Sequence, residues 1–468
     1  MDRSYKLLID GELVAGDHTL DVIDPSSGQV FATVARASAE QLEAAVAAAK
    51  RAFQGWSKTP LQVRRSKIVE LADLIESKKG ELARTLTQEQ GKPLAEAEWE
   101  VENTARFMRE LANIDLAVET IQDDASMRVE IHHRPLGVVA GITPWNFPFL
   151  LNLNKLTFST LMGNTFILKP APTTPITALL IGELAQKIFP AGVVNIVVDA
   201  NDLGDRLTRH PDVAKVSFTG STATGKKVYR TVSDTIKRLT LELGGNDAGI
   251  VLDDVDVGDA AGKIFDAAFT NAGQVCIAMK RVYAHSSIYD ALCDELAKLA
   301  NEAVVGNGFE QGVRIGPVQN ATQFNKAKHF LDVAKRDGTV IAGGNAIEGH
   351  GYFIQPTIVR DISDGSALVD EEQFAPILPV IRFDDVDDAV ARANSSVYGL
   401  GGSVWSRSID RAREVAQEIE AGTVWINQHL HIAPNIPFGG SKESGLGADY
   451  GAIGLAEYAQ RTVISVAK

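Results

Sequence analysis

The sequence is poor in cysteine: its 468 residues include only Cys276 and Cys293. Two thiols cannot build a disulfide framework, and a reducing cytoplasm is the simplest setting for them. It also lacks a basic excess. Lys and Arg total 46 against 60 Asp and Glu, a formal net charge of −14. That balance leaves no electrostatic footprint for nucleic acid or an anionic membrane. Long hydrophobic runs are missing, and the stretch 136–142 falls far short of the about 20 residues that cross a bilayer. Met1-Asp2-Arg3-Ser4-Tyr5-Lys6 has no charged-then-apolar signal pattern. No repeat, low-complexity linker or metal site is expected. What remains is an ordinary globular composition, 45% apolar and 23% charged. The length suits two to four domains or one large two-lobed body.

Strand and helix patterns alternate through most of the chain. Ser38 opens a helix, and Gln41 completes a capping box. Helical periodicity continues over 61–116, broken near Gly91-Lys92-Pro93. Strands are predicted over 127–133, 136–143, 164–168, 193–198, 215–219 and 238–243, with helices over 176–188 and 225–232. A second alternating series follows Gly244. It has helices over 257–270, 288–304, 325–334 and 386–394 and strands over 281–284 and 377–383. Pro379 inside the last strand suits an edge position. This spacing predicts an α/β protein of two lobes that divide near Gly244-Gly245.

Four segments carry chemistry. Gly220-Ser221-Thr222-Ala223-Thr224-Gly225 follows an apolar strand and opens a helix. A diphosphate can rest on backbone N–H groups there, although the segment serves equally as a plain strand-to-helix turn. Cys276 follows the small residues Asn271-Ala272-Gly273, a setting that exposes a thiolate, whereas Cys293 sits among leucines as a buried hydrophobe. Glu242 stands alone opposite alternating leucines. It is either salt-bridged or a base with a raised pKa. In Pro144-Trp145-Asn146-Phe147-Pro148 two prolines fix the backbone around an amide. That amide is either an oxyanion donor or part of a rigid turn around a buried Trp.

Together these segments resemble the aldehyde dehydrogenase superfamily over nearly the whole chain. Glu371-Glu372-Gln373-Phe374 and Pro437-Phe438-Gly439-Gly440-Ser441-Lys442 fall in the matching order. The resemblance implies a Rossmann-type cofactor domain (1–115 and 136–243) and an α/β catalytic domain (244–447). A small β-flap (116–135 and 448–468) would assemble a homodimer or homotetramer. It implies Cys276 as nucleophile, Glu242 as base, and Asn146 with the Cys276 backbone N–H as the oxyanion hole. Cofactor contacts would come from Trp145, Lys169, Pro172, Gly220, Ser221, Gly225, Leu243, Glu372 and Phe374. An aldehyde pocket would be lined by Phe147, Leu151, Asn154, Val275, Ile277, Ile432 and Phe438, with His429 and His431 at its entrance.

The implied reaction oxidises an aldehyde to the acid with NAD+ or NADP+ through a cysteine thiohemiacetal and a thioester. A water-activating Glu242 favours hydrolysis over transfer to coenzyme A. Pro172 stands where NAD-preferring relatives often carry Glu, so use of both cofactors is expected. Ala375 replaces a customary Gly, and Ala448 a customary Arg. The pocket suits an uncharged aliphatic or aromatic aldehyde. Two other classes compete: a cofactor-free cysteine hydrolase or thioesterase, and a non-catalytic binding protein.

Overall fold

Strands that are apolar on both faces need helices on both sides of their sheet. The structure, a computed structural model, describes residues 4–468. Val138–Ile142 and Thr165–Lys169 are buried at every position. They lie in an eight-stranded sheet of order Glu12–Val14, Leu7–Ile9, Val194–Ile196, Thr165–Lys169, Val138–Ile142, Val213–Thr219, Arg238–Glu242, Gly445–Leu446. The run from Val194–Ile196 to Arg238–Glu242 is parallel, and the outer strands are antiparallel. Strand order reverses between Val138–Ile142 and Val213–Thr219. This is the switch point of a Rossmann-type sheet, and ligands bind beyond the carboxyl ends of the strands there.

The chain then crosses from Arg238–Glu242 to Asp247–Val251, which belongs to a second sheet. That sheet has seven strands, in the order Thr339–Ala342, Thr357–Arg360, Ile377–Phe383, Met279–His285, Asp247–Val251, Gly401–Trp405, Thr423–Ile426. Only Thr339–Ala342 runs antiparallel to its neighbour. A separate antiparallel ribbon joins Ala459–Ala467, Met127–Pro135 and Glu119–Asp123.

Pro379 is not on an edge. It is the last residue paired with Thr357–Arg360, and Val380 is the first paired with Met279–His285. The strand changes partners at the proline, where a missing N–H costs least. The capping box at Ser38 forms with Gln41 as expected. The break at Gly91 ends the helix Lys79–Gln90 with φ 98°, and a Cβ there would meet Pro317 and Pro25 at 2.7 and 2.8 Å. Among the described residues, no helix is long and apolar enough to cross a membrane.

Candidate active site

The helix Val257–Phe269 stops at Thr270, and Asn271, Ala272 and Gly273 then take left-handed φ values of 52°, 55° and 70°. For a residue with a Cβ this conformation costs roughly 1–2 kcal/mol, so neighbouring groups must hold the turn. Glu96 Oε2 accepts the Asn271 N–H at 3.1 Å. The Asn271 side-chain amide donates to the carbonyls of Asn146 and Gln274 at 3.0 and 3.3 Å. Further on, the buried Lys280 ammonium donates to the carbonyls of Val275 and Cys276 at 2.8 and 2.6 Å. These contacts fix Cys276 half-buried at the end of a stiff loop.

Glu242 ends its strand directly opposite Thr219 in register. Thr219 Oγ1 donates to Glu242 Oε2 at 3.1 Å, and Cys276 Sγ lies 3.2 Å from Glu242 Oε1. Of the two readings open for Glu242, the surroundings fit a raised carboxyl. Burial lifts its pKa above the usual range, against the pull of the Lys155 ammonium. The Cys276 thiol is pushed well above its own range, first by burial and then by the Glu242 charge. The sulfur faces a carboxyl group, and burial with the Glu242 charge works against the thiolate expected from the sequence, while Cys276 itself stays partly exposed. Cys293 is fully buried, with its thiol lifted to about 12 by burial.

Asn146 follows the strand Val138–Ile142 and is buried. Its Nδ2 donates to the Gln274 carbonyl at 3.1 Å, which leaves a second N–H on the same nitrogen. Trp145 is half-buried and meets Phe374 edge-on at 5.5 Å. Asn146, Glu242 and Cys276 share the wall of a cavity of about 470 Å³. Phe147, Leu151, Val275, Ile277, Ile432 and Phe438 line it as expected, joined by Ala95, Glu96, Trp99, Leu150, Thr270, Leu430 and Tyr450.

Asn154 is not on that wall. It is buried behind it, and its Nδ2 lies 2.5 Å from the hydroxyl of Tyr450, which takes the place expected for it. Nor do His429 and His431 edge the cavity; Leu430 and Ile432 do. The His429 imidazole is buried against the Ile277 carbonyl, 2.8 Å away. Tyr450 has φ 62° and no periodic pattern around it. Glu96 and Trp99 lie on a helix far from the motifs in sequence, so no local signal marked them.

A second cleft, about 680 Å³, opens at the carboxyl ends of the parallel strands. Trp145, Lys169, Pro172, Gly220 and Ser221 line it, with Thr208, Lys227 and Thr231 beyond. Ser221 caps the helix Thr222–Ser233 through the Thr224 N–H. Lys169 is engaged by the fully buried Asp199 at 2.6 Å. Gly225, Leu243, Glu372 and Phe374 stand outside these walls. A Cβ on Gly225 would strike Leu243 at 2.4 Å, so that glycine admits a side chain rather than a ligand. Glu372 accepts the Gly245 N–H at 3.0 Å, and Phe374 backs Trp145. The cleft suits a dinucleotide: it lies at the switch point, beside a helix N-terminus, with hydroxyls and a lysine on its wall.

Comparison with known proteins settles the class. The family model described as "Aldehyde dehydrogenase family" matches residues 13–464. The chain belongs to the aldehyde dehydrogenase family. It is 39% identical to phenylacetaldehyde dehydrogenase from Pseudomonas fluorescens, over 97% of this chain and 94% of the relative. A mutant aldehyde dehydrogenase from Bacillus cereus superposes with a TM-score of 0.97 at 36% identity, over 99% of this chain and 96% of that one. Betaine aldehyde dehydrogenase from Staphylococcus aureus, solved in complex with NAD+, gives a TM-score of 0.96 at 33% identity, over 99% of this chain and 95% of that one. The protein is thus an oxidoreductase acting on aldehydes, with the fold of that family, and the cofactor-free hydrolase is set aside.

Proposed function

We propose that this aldehyde dehydrogenase oxidises uncharged aromatic or arylalkyl aldehydes to carboxylic acids with either NAD+ or NADP+. The observation that carries the chemistry is the 3.2 Å approach of Cys276 Sγ to Glu242 Oε1 on a cavity wall shared with Asn146. Trp99, Phe147, Phe438 and Tyr450 give that cavity its aromatic surface, and a relative at 39% identity is named for phenylacetaldehyde.

In the proposed mechanism the Cys276 sulfur attacks the carbonyl carbon while Glu242 takes its proton. The Asn146 amide and the Cys276 backbone N–H hold the new oxyanion. A nicotinamide cofactor, when bound, would supply the hydride acceptor for this oxidation. A thioester remains on Cys276. Once Glu242 has passed its proton to solvent, it draws another from a water, which attacks the thioester and frees the acid. Burial of the carboxyl suits it to this work, because a base with a raised pKa holds a proton more readily near neutrality.

Trp145, Lys169, Gly220 and Ser221 would hold the cofactor, with Pro172 beside the ribose, Leu243 behind Gly225, and Glu372 and Phe374 toward its nicotinamide end. We extend the proposal to the parts of the chain: 1–115 and 136–243 bind cofactor, 244–447 carries the nucleophile, and 116–135 with 448–468 joins subunits of a homodimer or homotetramer in the cytoplasm. Pro172 neither accepts a ribose hydrogen bond nor repels a 2′-phosphate. Because Lys169 is already paired with Asp199, the cation left for that phosphate is the exposed Lys227 on the same wall. The test is initial rates for phenylacetaldehyde, benzaldehyde, hexanal, betaine aldehyde and succinic semialdehyde with each cofactor. The aryl substrates are expected to give the highest kcat/KM with both; a clear preference for a charged aldehyde would overturn the assignment.

A further inference from the structure

We propose that Lys92, Glu96 and Glu100 form a brace that sets the spacing between the two donors of the oxyanion hole. This rests on the functional reading above. The three residues recur every four positions, beginning just before the helix Leu94–Ala112. Glu96 and Glu100 therefore share one helix face.

The lower half of the brace grips the Asn146 segment. Lys92 and Glu100 form an ion pair at 2.5 Å whose side chains have 0% exposure. The Lys92 ammonium also donates to the Asn146 carbonyl at 2.9 Å and lies 3.8 Å from the centre of the Phe147 ring. The other Glu100 oxygen accepts the N–H groups of Phe149 and Leu150 at 3.0 and 3.1 Å. Those donors are unpaired ends of the helix Pro148–Leu161. One ion pair thus holds the backbone at Asn146 and at the helix start just after it.

The upper half grips the nucleophile loop. Glu96 accepts the N–H of Asn271, the first of the left-handed residues before Cys276. Asn271 returns to the Asn146 carbonyl through its side chain at 3.0 Å. The circuit closes from helix to Asn146, to Asn271, and back to the helix. Stability alone does not account for it, because a buried ion pair often gains nothing over apolar residues of equal volume. Fixing two loops from different sheets at one separation is a task that an apolar contact performs poorly. Burial lifts the Glu96 carboxyl to about 7, against the pull of Lys92 and the Asn271 N–H, with Glu100 and Asp266 adding to the rise. The grip on Asn271 is accordingly firmest above neutrality, where Glu96 is charged.

Lys92→Met or Glu100→Gln would strand a buried charge and endanger folding, so Glu96 is the position to test. Glu96→Leu removes the acceptor, and Glu96→Gln keeps a carbonyl oxygen in its place. Each is made alone and on an Asn146→Ala background. The cofactor-reduction burst, KM and melting temperature are then measured. Glu96→Leu is expected to slow the burst about tenfold with KM nearly unchanged, less than the about 10²–10³ of losing a donor outright. Glu96→Gln is expected to stay within about threefold of wild type. On the Asn146→Ala background the Leu variant is expected to cost much less than tenfold, because the hole is already broken. Full additivity, a loss confined to KM, or a Leu variant as fast as wild type would overturn the brace. The wild-type burst reports on the proposed function and the variants report on the brace, so the two fail separately.

Discussion

Glu242→Gln is expected to split turnover into a retained first half and a stalled second half. Two effects oppose each other in the first half. The variant loses the acceptor 3.2 Å from Cys276 Sγ, which slows removal of the thiol proton. It also loses the negative charge that, after burial, does most to hold the Cys276 pKa up. The thiol therefore ionises at lower pH in the variant, and solvent can take its proton. Nothing comparable helps the second half. The attacking water has a pKa far above that of any thiol, so its attack still needs a positioned base. Loss of a positioned base typically costs about 10²–10⁴ in the step it serves. Acylation is expected to persist while deacylation falls by that factor.

Rapid-mixing absorbance checks this directly. The variant should release close to one reduced cofactor per active site in a burst, then turn over about a hundredfold or more below wild type. Mass spectrometry of the quenched protein should find the acyl group on the tryptic peptide holding Cys276. The pH course has a defined sign as well. Because burial lifts the Glu242 pKa, the base form in wild type is lost from a higher pH than for an ordinary carboxylate. Wild-type kcat should decline on the acid side from that raised value, and the variant's slow turnover should lack this limb. Absence of the burst, or steady-state turnover close to wild type, would refute a deacylation base at this position.

Three further outcomes are expected. Cys276→Ala should abolish aldehyde-dependent cofactor reduction while cofactor still binds by fluorescence titration, and Cys293→Ala, replacing a thiol buried among leucines, should keep most activity. Pro172→Glu should shift kcat/KM toward NAD+, chiefly by weakening NADP+, from a wild-type ratio of about 10–100-fold or less in either direction; discrimination beyond about a thousandfold in wild type would place the choice outside this loop. The Glu89 carboxyl, which accepts the N–H groups of Ile176 and Thr177, is lifted from 4.5 to about 7 by burial. The folded state thus binds its proton more tightly than the unfolded chain. Its contribution is complete below about pH 4.5 and is lost as pH rises toward 7, by at most about 1.4 kcal/mol per pH unit. In urea melts, Glu89→Gln should gain on wild type between pH 5 and 7 and level off above; a difference independent of pH would contradict the linkage.

The elements with a strong local period were legible in the sequence. The capped helix after Ser38, the apolar strands ending at Ile142 and Lys169, and the strand-turn-helix around Gly220 each carry their own pattern. The helix Pro148–Leu161 was not found, because it is buried at every position but Leu151 and so shows no polar face to set the phase. Gly401–Trp405 is likewise buried throughout and opens with two glycines, which hid a strand inside the second sheet.

The site was legible to the same degree and for a related reason. Cys276, Glu242 and Asn146 stand out because each breaks a local pattern: a thiol after three small residues, a carboxylate among leucines, an amide between prolines. Asn154 and Tyr450 form the instructive pair. An amide at the seventh residue of an apolar helix invites placement on the cavity wall, yet its partner is a phenol 296 positions away. Tyr450 takes a strained φ of 62° and reaches the cavity only because Asn154 meets its hydroxyl and Phe107 and Phe158 flank its ring at 6.0 and 6.2 Å. Such a residue is set by contacts closed late in the chain, so local sequence holds no trace of it. The same holds for Glu96, whose bond to Asn271 spans 175 positions. The proposed chemistry is written locally, in residues that interrupt a pattern. The distance and angle at which those residues meet are written in side chains that look ordinary until the two sheets are brought together.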